Sequence, residues 1–365
     1  MLFHDRASAL GSIAGVVAIV FLVGQQLAIF FGLLSFMSGV ADNSGADLWV
    51  LSKNSDNLNS TGTLPMAYRD RVAGVRGVRW VEPVVVSGGL LKRSDGNTQG
   101  VQVVGIRVPA MAGGPNRFFL GGPEALADGE GITVDRLDLP ALGRPSIGDV
   151  LEINGHRVRI GAVTEGLQGF AGNLVYTNLD NARTVTGLPL DRCTNLLVKA
   201  EPGVPIDGLI VLLKRILPRT EIFSTPDLSR TTRLYILKNT GIGTSFGFTT
   251  LISAVVGLVI IALTMYTNVL NKSRDYAMLR ALGARRRDVF LIVLLQCLYV
   301  AGIGILAGFF LLAGFLSGTH GSSLPTGMPV SAAVGIGLGT LVLCLLGSVL
   351  AMRRAVTIEP ASAFR

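Results

Sequence analysis

Three long stretches of this chain contain no Asp, Glu, Lys or Arg, and they limit its possible folds more than any other feature. They run from Ala7 to Ala41, from Asn239 to Asn271 and from Val289 to Met352. About 20 apolar residues are enough for a helix to cross a bilayer. The third stretch holds two such spans, because a turn rich in Gly and Pro interrupts it near its middle. Four transmembrane helices are therefore predicted, at Leu10–Ser38, Gly243–Leu270, Phe290–Leu316 and Val330–Met352.

The charges are distributed in a way that predicts the orientation of these helices. The net charge is +8, yet the segment from Asp42 to Lys238 carries 22 basic and 20 acidic residues. The excess of positive charge lies in short segments beside the helix ends, mainly Lys272–Arg287 and Arg353–Arg365. Basic residues beside spans favour the cytoplasmic side. Both termini are therefore predicted inside and the long segment outside, and the charge does not indicate nucleic-acid binding.

The predicted fold class is a membrane α-helical protein with a mixed α+β extracytoplasmic domain between its first and second helices. A strand, a helix and a strand are predicted within Asp47–Val86 and again within Asn195–Ser224, so both units could share one ferredoxin-like sheet. Residues 109–190 are predicted to form an inserted β subdomain. The segment Pro226–Thr240 reads either as a rigid helix leading into the second span or as a simple connector.

The chain is accordingly divided into six parts. They are an N-terminal tail with the first span (1–41), the outer domain (42–238), the second span (239–271), a cytoplasmic loop (272–288), the third and fourth spans (289–352) and a C-terminal tail (353–365).

The residues that would carry chemistry are missing from the sequence. The phosphate-binding pattern Gly-x-x-x-x-Gly-Lys-Ser/Thr does not occur, nor does a Gly-x-Ser-x-Gly nucleophile motif. His4, His156 and His320 have no acidic or Cys partners at metal-ligand spacing. We therefore predict no catalytic, cofactor-binding or metal-binding residues, which disfavours a membrane-embedded enzyme.

Small and amide residues within the spans are candidates for helix packing. Small residues four apart let helix backbones approach closely in lipid, and buried amides bond helices together. A substrate contact is the alternative for the two glutamines. The candidates are Gln25, Gln26, Gly304, Gly308, Gly335 and Gly339.

The inner loop is the most informative segment. Met278, Leu279 and Leu282 are predicted to share one face of a short helix, with Arg280 pointing away and Gly283 ending the helix. Basic residues that serve topology alone are the alternative interpretation of this loop, but they do not account for an apolar face.

The run RDYAMLRALGA, from Arg274 to Ala284, resembles the coupling-helix signature of the FtsX-like permease family, with mild departures at Asp275 and Tyr276. The ending Arg353–Arg365 is similar to the C-terminus of that family. The phrase GQQLAIFFG, from Gly24 to Gly32, looks closest to the DevC-like permeases of MacB-type pumps. The resemblance assigns ATPase coupling to Arg274, Asp275, Tyr276, Met278, Leu279, Arg280, Leu282, Gly283 and Ala284.

The resemblance implies the non-catalytic permease subunit of an ABC exporter in the bacterial inner membrane, with its large domain in the periplasm. It implies a homodimer, a separate ATPase subunit that binds ATP and Mg, a periplasmic adaptor with an outer-membrane duct, and a lipid-like or hydrophobic substrate. Membrane lipids surround the spans, and no cofactor is expected on this chain. Two alternatives share the architecture: a lipoprotein-extraction permease, and an FtsX-like mechanotransmitting regulator of cell-wall hydrolases.

Overall fold

The computed structural model describes residues 6–55, 57–59, 62–170, 172–271, 278–279, 282–319, 322 and 324–355. Two compact units are present. The outer unit consists mainly of Leu33–Gly241, and the membrane unit contains the long helices that precede and follow it. Each unit has apolar cores of its own.

The helices are α1 (Arg6–Met37), α2 (Gly39–Asp42), α3 (Ala67–Ala73), α4 (Leu179–Thr186), α5 (Ile206–Ile216), α6 (Thr225–Asn239), α7 (Ile242–Asn271), α8 (Arg286–Thr319) and α9 (Val330–Ala355). The strands are β1 (Leu48–Ser52), β2 (Leu64–Pro65), β3 (Val78–Lys92), β4 (Thr98–Ile106), β5 (Phe118–Leu120), β6 (Gly131–Asp135), β7 (Val150–Ile153), β8 (His156–Thr164), β9 (Asn173–Asn178), β10 (Arg192–Cys193), β11 (Asn195–Ala200) and β12 (Thr220–Ser224).

Four helices of the described residues, α1, α7, α8 and α9, are long and apolar enough to cross a membrane. This confirms the four long apolar helices predicted from the charge-free stretches. Their shared core includes Val16 and Val20 of α1, Val293 and Cys297 of α8, and Cys344 of α9. Helices α6 and α7 are separate, because Gly241 between them adopts a φ of +72° that does not continue a helix.

The base of the outer unit is a four-stranded antiparallel sheet in the order β12-β1-β11-β3. Two strand-helix-strand units build it: β1-α3-β3 and β11-α5-β12. This is the predicted ferredoxin-like arrangement. Successive side chains of a strand point to opposite faces. In β1, Leu48 and Val50 face the core of α3 and α5, whereas Trp49 and Leu51 face a core that includes Leu228 of α6.

A closed ring of strands stands next to the base. The ring consists of six strands that pair in the order β3, β4, β9, β6, β8 and β7. Strand β7 also pairs with β3, which closes the barrel. Valine, leucine and isoleucine side chains fill its interior. Strand β3 belongs to both parts: Val84 pairs with Asn195 of β11, and the next residue, Val85, pairs with Gly105 of β4.

The barrel therefore includes residues before 109, where the inserted subdomain was expected to begin. One continuous strand serves both sheets, so no break in the sequence marks the boundary. Within that subdomain, β7 and β8 form a hairpin. Asn154 and Gly155 form its turn with φ values of +50° and +85°, the combination that a tight Asn-Gly hairpin requires.

Candidate functional site

Part of the predicted coupling segment lies outside the residues that the structure describes, including Arg274, Asp275, Tyr276 and Arg280. The described residues of this segment, 278–279 and 282–284, lie at the end of a helical turn. The Leu282 N–H donates to the Met278 carbonyl at 3.0 Å, and the Ala284 N–H donates to the Leu279 carbonyl at 3.0 Å. Gly283 has a φ of +99°, which suits the residue that follows a helix end.

The apolar side chains of this turn do not share one environment. Met278 and Leu282 are 62% and 83% exposed, and their spacing of four residues places them on the same side of a helix. Leu279 is half-buried and packs against the core of the membrane unit. The predicted face of three residues is thus divided, because Leu279 is turned by about 100° from Met278 around the helix. Met278 and Leu282 form the exposed pair.

An acidic residue fixes the start of α8 directly after this turn. The Arg285 N–H donates to Oδ2 of Asp288 at 2.8 Å. In this capping arrangement, the side chain of the third residue of the helix accepts a hydrogen bond from the backbone N–H of the N-cap residue. Asp288 also places a carboxylate at the positive end of the helix dipole. The exposed pair is therefore followed by a well-capped helix.

A polar cluster joins α2 to α6 in the outer unit. Asp42 of α2 accepts hydrogen bonds from Arg233 Nη2 at 2.8 Å, from Ser38 Oγ at 2.6 Å and from the Ser229 hydroxyl. Arg233 Nε also donates to Ser38 Oγ at 2.8 Å. We call Ser38, Asp42, Ser229 and Arg233 the Asp42 cluster. Only Ser38 separates α1 from α2, so the cluster attaches the continuation of the first long helix to α6.

Sequence reasoning did not identify the Asp42 cluster. Asp42 is the first charge after the apolar run of α1, and Arg233 falls within the predicted helix Pro226–Thr240. Both charged residues can be recognised in the sequence. Their contact cannot, because it depends on how the base sheet between them folds.

A pair of buried carboxyl groups lies elsewhere in the outer unit. Asp135 accepts N–H bonds from Leu137 and Leu167. Asp138 accepts a bond from Gln168 Nε2 at 3.1 Å, while its Oδ2 is buried without a hydrogen-bond partner among the described residues. Burial raises the pKa of Asp138 to about 6, and the charge of Asp135 adds to the shift.

The helix-packing candidates occupy two kinds of position. A Cβ on Gly304 or Gly308 would lie 2.6 Å and 2.7 Å from the Cβ atoms of Val16 and Val20, so these glycines allow α8 to approach α1 within one chain. A Cβ on Gly335 or Gly339 of α9 would meet no described atom within 4 Å.

The two glutamines lie on α1. Gln26 Nε2 donates to Thr249 Oγ1 of α7 at 2.8 Å, which links two long helices. Gln25 is half-buried. Among the described residues, no group of three or more His, Cys, Asp or Glu side chains could hold a metal ion.

Two protein families match this chain. The family model described as FtsX-like permease C-terminal matches residues 247–360, and that of the MacB-like periplasmic core domain matches residues 7–215. An uncharacterized ABC transporter permease of Mycobacterium tuberculosis is 22% identical over 353 residues, which is 92% of each chain. Another, from Mycobacterium bovis, is 32% identical over 112 residues, covering 30% of this chain and 31% of that protein.

Solved structures of outer domains are similar at a lower level. The periplasmic region of MacB from Actinobacillus actinomycetemcomitans is 13% identical, with a TM-score of 0.39, and the match covers 53% of this chain and 97% of that one. The extracellular domain of the noncanonic ABC-type transporter YknZ from Gram-positive bacteria is 15% identical, with a TM-score of 0.35, over 49% of this chain and 99% of that one.

Proposed function

Since the chain belongs to the family of FtsX-like, MacB-type ABC transporter permeases, we propose that it transmits ATP-driven motion from a separate ATPase subunit to its own outer unit. The observation that carries this proposal is the Asp42 cluster, which attaches the end of the first long helix to α6. Only Thr240 and Gly241 separate helix α6 from the long helix α7. In this proposal a tilt at the end of α1 is passed to α6 through the Asp42 cluster, whereas Gly241 interrupts the helical connection from α7.

The ATPase would bind at the exposed pair, Met278 and Leu282. Large apolar side chains that protrude from a short turn between two spans suit the filling of a groove on a partner. The basic residues Arg285 and Arg287 next to them favour the cytoplasmic side, where an ATPase would be found. ATP and Mg would be bound by that partner, because the sequence has no phosphate-binding loop.

The transported molecule in this proposal is lipid-like or hydrophobic. The described spans have acidic residues only at the start of α8, where Asp288 caps the helix. This composition does not favour a proton-coupled carrier or an ion pathway. The assembly would contain a second copy of the chain, and a periplasmic adaptor with an outer-membrane duct would complete it, as in DevC-like systems. The outer unit would then lie in the periplasm and the helices in the inner membrane.

The coupling step can be tested by changing the exposed pair without changing any charge. The double variant Met278→Asn, Leu282→Asn should insert normally, because topology depends on the basic residues. It should lose co-purification of the ATPase, since two apolar contacts would be replaced by amides that need solvation. Truncation of a hot-spot residue at the centre of an interface weakens binding by about 2 kcal/mol or more.

A matched control is Leu190→Asn, which alters an equally exposed leucine in the outer unit. This control should bind the ATPase and support transport as the unaltered chain does. A normal complex and normal transport in the double variant would show that the exposed pair is not the coupling element. Intact coupling without export of any lipid, but with release of lipoproteins or activation of a cell-wall hydrolase, would favour one of the two related functions.

A further inference from the structure

The outer unit has an open cleft of about 960 Å³ at one end of the barrel. It lies where β4 and β9 end and where β6 and β8 begin, and α4 forms one wall. The mouths of β-barrels are common positions for small-molecule sites. The chemistry of the cleft wall therefore indicates what could bind there.

A buried cation is the main feature of this wall. The side chain of Arg183 is only 7% exposed, and its guanidinium is held from two sides. Nε donates to the Arg192 carbonyl at 3.2 Å, and Nη1 donates to Asp180 Oδ1 at 3.1 Å. Nη2 is buried without a hydrogen-bond partner among the described residues. Arginine stays charged, so an unused buried N–H group is costly unless an oxygen atom from another molecule completes it.

Two further arginines line the same cleft. Arg107 Nε lies 3.3 Å from Glu82 Oε2 and is therefore partly neutralised. Arg157 is exposed, and the described residues provide it with no ion pair. Asp180 is engaged by Arg183, which leaves Glu130 as the acidic residue of the cleft that opposes an incoming anion. Arg157 and Arg183 thus supply the unfilled positive groups.

The first turn of α4 adds to this attraction. Asn178 caps the helix by accepting the Asn181 N–H at 2.8 Å, and both residues line the cleft. The positive end of the helix dipole faces the same space, where it partly offsets the negative charge of Asp180 in the first turn.

The remaining wall is apolar. Met66 and Val108 are half-buried and Pro109 is exposed, so their surfaces are available to a ligand. Beneath them lie the fully buried side chains Ile106 and Leu126. A ligand that satisfies both walls has an acidic group at one end and a hydrocarbon body at the other.

We propose that this cleft binds an amphiphilic acid, a carboxylate or phosphate group carried on an apolar chain, with Arg157 and Arg183 contacting the acidic group. The shared chemistry is an anionic oxygen group held by guanidinium N–H donors. Binding belongs to the outer unit alone, so it goes beyond the proposed coupling function and is tested without ATP or an ATPase.

The test uses the full chain in lipid nanodiscs and a fatty acid that carries a diazirine photo-crosslinker. Cross-links should map to peptides that contain Met66 or Val108. Octanoate and octyl phosphate should reduce this labelling, and the stronger competitor identifies the preferred head group. Octanol should not reduce labelling. The variant Arg157→Gln should weaken labelling roughly tenfold, as expected for loss of a charge-assisted hydrogen bond.

Matched variants distinguish a specific contact with the acidic group from a general effect of net charge and from loss of folding. Arg79→Gln removes an exposed arginine of β3 outside the cleft and should leave labelling unchanged. Glu130→Gln should strengthen labelling, because it removes the opposing carboxylate. Arg183→Gln should abolish the ability of octanoate and octyl phosphate to reduce labelling by the fatty-acid probe. If this change of a buried residue prevents folding, the Arg157→Gln variant provides the test instead. Equal competition by octanol, or by inorganic phosphate as strong as octyl phosphate, would overturn the proposal.

Discussion

Arg233 of α6 places its Nη2 atom 2.8 Å from Oδ2 of Asp42 in α2. Both side chains are more than one-third exposed, so this ion pair contributes little to folding stability, about 0–1 kcal/mol. Its position suggests a mechanical role. We expect Asp42→Asn and Arg233→Gln to leave the melting temperature nearly unchanged and to reduce transport while ATP turnover by the complex continues. Parallel assays of ATP hydrolysis and transport provide the measurement.

The control for this pair is Asp70→Asn, which breaks the exposed contact between Arg69 and Asp70 at 3.1 Å and should have no effect. Exchanging the charges, with Asp42→Arg and Arg233→Asp together, should restore part of the transport. Full transport in both single variants would refute a role for this link in transmission.

Asp138 predicts a dependence of stability on pH. Burial raises its pKa from 3.8 to about 6, so its carboxyl group is more easily protonated in the folded state than in the unfolded state. Its favourable contribution is complete below pH 3.8 and is lost as the pH rises through 6. Asp138→Asn should therefore stabilise the chain at pH 8, by roughly 2–3 kcal/mol from the size of the shift, and much less at pH 4.

Thermal unfolding of the full chain in detergent, at pH 4, 6 and 8, measures this effect. The exposed Asp191→Asn is the control and should shift the melting temperature little at any pH. An Asp138→Asn variant that is destabilised equally at all three values would mean that the bond from Gln168, rather than the buried charge, dominates at this site.

Packing in the membrane unit predicts different responses from two glycines. Gly308→Val should destabilise the chain by about 1–3 kcal/mol, because its Cβ would lie 2.7 Å from the Cβ of Val20. Gly339→Val should leave the stability of one chain unchanged, because its Cβ meets no described atom within 4 Å. Unfolding in detergent reports the first effect. Particle size reports whether Gly339 lies between two copies.

The orientation of the spans remains a prediction from the charge distribution. A reporter fused after Ser94 or Leu190 should be exported, whereas fusions after Arg286 or Arg365 should remain in the cytoplasm. Alkaline phosphatase and a fluorescent protein give opposite signals for the two compartments. A cytoplasmic reporter at Leu190 would contradict both the orientation and the proposed coupling.

The sequence predicted those parts of the fold that depend on local pattern. Charge-free stretches located the long helices, and short continuous runs of apolar residues located β1 and β11, because each signal lies within one element. The change of partner between Val84 and Val85 was not predictable, since both are valines in one strand and only their distant partners differ.

The candidate sites also differ in whether they depend on a local pattern or on contacts between distant residues. The exposed pair lies within a local motif that the sequence singles out, and its role in coupling stays a prediction. The separation of Leu279 from the pair depends on packing against the membrane core. The contact of Asp42 with Arg233 joins residues 191 positions apart, and α4, which carries Arg183, was not predicted at all. Sites built from distant elements require the tertiary structure.

The order of strands in the base sheet also bears on how a new chain reaches its folded state. Among the described strands, β1 pairs only with β11 and β12, and Leu48 lies opposite Val198 and Ser224, far along the chain. Neighbouring strands such as β3 and β4, or β7 and β8, can pair as soon as they are made. Contacts distant in sequence form late, because the intervening chain must first lose entropy. We therefore expect the apolar run from Leu48 to Leu51 to stay unpaired until β11 has been made, and the nascent protein to be open to aggregation and proteolysis during that interval.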